Sequence, residues 1–65
     1  MIKYIISKKA NKLVVEERGS KGMKIICETV LPHIVEITIA EEATRMNKIG
    51  IKYQVENRTN IFMDI

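Results

Sequence analysis

Several things are scarce in this chain of 65 residues, and each scarcity excludes something. There is one cysteine, Cys27, so no disulfide can close within the chain. There is one histidine, His33, which with Cys27 falls short of a structural zinc set. Tryptophan is absent, phenylalanine occurs once and tyrosine twice, so any core must be aliphatic. Uninterrupted apolar runs stop at two or three residues, too short to span a membrane. The start of the chain is likewise too short in apolar residues for a secretory leader. A lone thiol fits a reducing compartment, so the expectation is a soluble cytoplasmic protein.

What is present leans towards a sheet. Twelve isoleucines dominate an apolar fraction of 46%, and a branched Cβ favours the pleated surface. Residues 2–7, 12–18 and 23–30 alternate as three strands. They are separated by a polar turn at 8–11 and by Gly19-Ser20-Lys21-Gly22, an arrangement that reads as an antiparallel meander. In the third strand the alternation sets Met23, Ile25 and Cys27 on one face, with Lys24, Ile26 and Glu28 on the other. Pro32 ends it.

Residues 33–38 fit two patterns. Val35 to Ile39 alternates like a strand, yet Leu31, Val35, Ile39, Ala43 and Met46 share a face at helical spacing. Either way a helix is expected over 39–49. Thr38 and Glu41 fit a capping box, Glu41 pairs with Arg45, and Gly50 is the stop. Ala43 and Met46 should face the sheet, leaving Glu41, Thr44 and Lys48 exposed. A strand over 51–56, a turn over 57–60 and a strand over 61–65 would form a C-terminal hairpin. The expected class is therefore α+β: one domain over 1–65 with a small, mostly antiparallel sheet and one helix.

Catalytic patterns are weak. Cys27 lies on an apolar strand face and reads as a small buried hydrophobe, and His33 reads as a surface or loop residue. Glu16 and Glu17 are strand neighbours pointing to opposite faces, so they form no acid–base couple. The glycines lack the spacing of a phosphate loop. The expectation is a non-enzymatic chain without cofactor or metal.

Charge is unevenly spread. Residues 1–24 carry net +5, residues 25–44 net −4 and residues 45–65 net +2, for an overall +3. Lys8, Lys9 and Lys12 cluster at one turn, and Arg18, Lys21 and Lys24 at the next. Such turns could neutralise phosphates, which makes a small nucleic-acid-binding protein the alternative reading. No aromatic platform accompanies them, since Tyr4 and Tyr53 sit on apolar strand faces. The leading reading is a protein-interaction or regulatory module. One helix covers only one side of a sheet, and the terminal strands are apolar on both faces. Ile5, Ile61, Phe62, Met63 and Ile65 are thus expected at a contact with a second copy or a larger protein, away from any membrane.

Overall fold

The computed structural model describes all 65 residues. Its elements are β1 (Ile2–Lys9), β2 (Lys12–Gly19), β3 (Gly22–Thr29), α1 (Pro32–Ile49) and β4 (Tyr53–Asn57). They make one four-stranded sheet in the order β3-β2-β1-β4, with α1 on one face. The class is α+β with a mostly antiparallel sheet, as the alternation patterns indicated. β1–β2 and β2–β3 are antiparallel hairpins, and β4 pairs with β1 in parallel.

That parallel pairing replaces the expected C-terminal hairpin. The helix folds back across the sheet and delivers the chain to the end where β1 begins. A strand added to the free edge of β1 from there must run alongside it. Ile2 of β1 is level with Tyr53, and Ile6 with Asn57. No strand follows. Residues 58–65 cross the helix-covered face of the sheet, where Met63 is buried in the core and Ile61 packs against it. Polar contacts tie this segment down. Asn57 Nδ2 donates to the Ile61 carbonyl at 3.0 Å, and the Asp64 amide donates to Glu36 Oε2 of α1 at 2.6 Å.

Residues 33–38 are helical. Pro32 stands in the first turn, where its missing N–H costs nothing and its φ is already suitable. Val35, Ile39 and Met46 are the buried residues of α1, while Glu41, Thr44 and Lys48 are exposed and Ala43 is half-buried. The capping box is not formed. Thr38 is inside the helix, and its Oγ1 donates to the Ile34 carbonyl at 2.9 Å. Glu41 is likewise mid-helix, and Arg45 bonds Glu42 instead. The helix ends at Gly50, as expected. Gly50 has φ 74°, and the Ile51 amide bonds the Met46 carbonyl at 3.0 Å, the six-to-one bond of a Schellman turn.

The third strand shows how one residue changes a face. Val15 pairs with Cys27 but Glu16 pairs with Ile25, so Ile26 is an extra residue with no partner. A bulge of this kind inverts the alternation beyond it. Cys27 and Ile26 both pack on the core, whereas Met23 and Ile25 are carried to the opposite, open face and are exposed. The expected grouping of Met23, Ile25 and Cys27 on one face fails for this reason.

The core lies between α1, the tail and one side of the sheet. Tyr4, Ile6, Leu13, Val15, Val35, Ile39, Met46 and Met63 form it. Tyr4 and Tyr53 meet edge to face with ring centres 6.2 Å apart, so both belong to packing.

Candidate interaction surface

The face of the sheet away from α1 carries no helix; its apolar floor is closed over β1 and β2, while Met23 and Ile25 of β3 stay exposed on it. Register sets out this face in rows across the strands. Arg18 of β2 lies beside Lys3 of β1, Glu16 beside Ile5, Val14 beside Ser7, and Lys12 beside Lys9. On the other side of Ile5 lies Glu56 of β4. Glu16 accepts from Lys9 Nζ at 3.4 Å and from Arg18 Nη2 at 3.2 Å; Glu56 pairs with Lys3 Nζ at 3.0 Å and with Arg58. These paired side chains lay their aliphatic stems over the floor. Ile5 and Val14 are buried as a result, and so is the Glu16 side chain.

Burial alone would raise the Glu16 carboxyl, but the hydrogen bonds and charges of Lys9 and Arg18 together outweigh it and hold it below the ordinary carboxylate value. Glu56 is also lowered, by the hydrogen bond from Arg58 and then that from Lys3. The sequence contained a signal for this arrangement. Glu16 and Arg18 are two apart in a strand and so share a face.

A second network joins helix to sheet. Tyr4 Oη donates to Glu42 Oε1 at 2.8 Å, and Arg45 Nη2 donates to the same oxygen at 2.7 Å and to Glu17 Oε1 at 3.5 Å. The Arg45 hydrogen bond holds Glu42 below the ordinary carboxylate value. Burial, followed by the Glu42 hydrogen bond, pushes the Tyr4 phenol far above its usual range. Nothing in the local sequence pairs residues 38 apart.

The six basic residues singled out above do not form one patch. The Lys8-Lys9-Lys12 turn and the Arg18-Lys21-Lys24 turn lie at opposite ends of β2, eight residues or roughly 23 Å apart. Register divides them further. Lys9, Lys12 and Arg18 share the open face, and Lys8 and Lys24 fall on the other. Cys27 is half-buried against the core, and His33 is exposed in the first turn of α1. No group of three or more His, Cys, Asp or Glu side chains is placed to hold a metal ion. No helix is long and apolar enough to cross a membrane.

The candidate contact residues are also sorted by the fold. Ile5 and Met63 are buried within the chain and Ile61 is partly buried, which removes them from an exposed surface. Ile65 is about half exposed, and Phe62 is 91% exposed although Met63 beside it is anchored in the core. At the other end of α1 lies an open cleft of about 410 Å³. Met46 forms its floor, and Met1, Asn47, Ile51, Lys52 and Tyr53 line it. A smaller hollow by the β2–β3 turn is lined mainly by polar residues, including Glu17, Lys21 and Lys24.

Among known proteins, no family model matches this chain, and no curated protein or solved structure resembles it significantly.

Proposed function

We propose that this chain is a small non-enzymatic interaction module that acts as a homo-oligomer in the cytoplasm, with Phe62 as the principal contact. The carrying observation is the contrast between Phe62 and its neighbour. Met63 is 6% exposed and Phe62 91% exposed, so an anchored backbone holds a phenyl ring in water. Aromatic residues, phenylalanine among them, are enriched at interfaces relative to the rest of a protein surface. The open sheet face also exposes Met23 and Ile25, but it presents no aromatic side chain, and Lys3, Lys9 and Arg18 are already paired there with Glu56 and Glu16 of the same chain.

Equilibrium sedimentation tests the reading. Association should be seen at micromolar to millimolar concentrations, and Phe62→Lys should give a folded monomer of 7.5 kDa. A wild-type mass of 7.5 kDa throughout that range would remove it.

A second reading, nucleic-acid binding, has its own observation in the four cations Lys3, Lys9, Lys12 and Arg18 on the open face. Under it, single-stranded or duplex nucleic acid binds at low salt, and affinity falls steeply as salt rises. Charge reversal at Lys9 and Arg18 together should abolish binding. A titration showing none at low salt excludes this reading.

A further inference from the structure

The tail that carries Phe62 and the cleft both meet α1 on one side of the helix. Glu36 marks the Phe62 end, because its carboxylate holds the Asp64 amide. Asn47 marks the cleft end, because it lines the cleft. Eleven residues separate them on α1, which is close to three helical turns, so both occupy one side of the helix about 16 Å apart along its axis. Phe62 cannot reach the cleft of its own chain. Residues 58–64 are fixed by the Arg58 amide on the Ile6 carbonyl, by buried Met63 and by the Asp64 contact.

We propose that Phe62 seats in the cleft of a second copy, and that the second copy's Phe62 seats reciprocally in the first, closing a two-fold dimer. This rests on the self-association reading and names its geometry. Two sites on one side, displaced along one axis, face each other in opposite order when a second copy is turned end over end. Each projecting ring then meets a cleft, as an isologous interface requires.

Shape and charge both fit. The cleft is within the size range of small-ligand pockets and presents Met1, Met46, Ile51 and Tyr53 to a phenyl ring. Phe62 stands two residues from Asp64, whose amide is held by Glu36 of α1, so the tail around it is acidic. Lys52 lines the cleft, and Lys48 lies in the last helical turn beside it. Opposite signs therefore meet at both contacts, whereas a symmetric contact of Phe62 with Phe62 would bring the acidic groups together.

The experiment mixes two broken chains. Phe62→Ala lacks the ring and keeps the cleft; Ile51→Lys keeps the ring and spoils the cleft. Wild type should sediment as a dimer, twice 7.5 kDa. Each variant alone loses both contacts and should dissociate on the order of 1,000-fold more readily, as expected for losing two anchors of about 30-fold each. Their mixture restores one contact, so a heterodimer should form within roughly 30-fold of wild-type affinity. Lys52→Glu serves in place of Ile51→Lys if circular dichroism shows that the helix stop is disturbed.

A wild-type chain that never associates overturns self-association itself. A wild type that dimerises while Ile51→Lys and Lys52→Glu still dimerise, or while the mixture stays monomeric, overturns the cleft assignment and leaves self-association standing. A mass that keeps growing with concentration overturns the reciprocal geometry.

Discussion

Ile6→Ala lowers the free energy of unfolding by about 3–4 kcal/mol, the largest single effect expected in this chain. Ile6 is fully buried in β1, level with Val15 of β2 and Asn57 of β4, and it belongs to the cluster that includes Val35 and Met63. Truncating it removes transfer energy and leaves a cavity that three separate elements border. Domains of this length have roughly 3–10 kcal/mol in total, so the substitution removes about a third or more of the stability. Urea unfolding followed by circular dichroism measures this. Ile37→Ala is the control, because Ile37 is half exposed on the outer side of α1 and should change stability by less than about 0.5 kcal/mol. Equal effects at the two positions would mean that α1 and the tail do not pack on the face described.

Tyr4→Phe should destabilise by about 1.5 kcal/mol near neutral pH, and the deficit should shrink in acid. The phenol is buried and donates to a carboxylate that Arg45 also engages. The pH dependence follows from Glu42, whose pKa in the folded chain lies below its ordinary 4.5. Its contribution is complete above the unfolded value and disappears as pH falls from there through the folded value. Glu16 and Glu56 are lowered too, so the wild type should lose stability over the same acid window. Urea midpoints of wild type and Tyr4→Phe, measured from pH 7 down to pH 2.5, should converge at the acid end. A deficit that stays constant with pH would show that the hydroxyl's value does not depend on ionised Glu42.

Much of the fold was legible because its signals are local. The alternation of Ile2, Tyr4 and Ile6 and of Leu13 and Val15 located two strands and the face they bury. Gly19 and Gly22 marked the second turn, and Gly50 marked the helix stop through a backbone conformation that glycine adopts without strain. Met46, on the predicted helix face, is buried. Residues 33–38 were ambiguous because Ile, Val and Thr suit either state there; burial of Val35 and Ile39 against the sheet decides for helix.

Of the candidate surface, composition identified the aromatic and the basic residues, but not their arrangement. Alternation sets Met63 with Ile61 and Ile65, and Phe62 with Asp64, but apolar residues on both faces leave open which face is buried until the tail packs on the core.

The sequence by itself determined the α+β class, the meander, the end of the helix and the uneven distribution of charge. Each depends on contacts between near neighbours, so periodicity, turn chemistry and composition carry it. Only the tertiary structure decided the rest: the parallel docking of β4 on β1, the bulge at Ile26 that exposes Met23 and Ile25, the closure of Ile5 beneath paired charges, and the Tyr4–Glu42 bond. These depend on which distant segments share an edge and in what register. A shift of one residue moves every following side chain to the other face, and no local pattern encodes that choice.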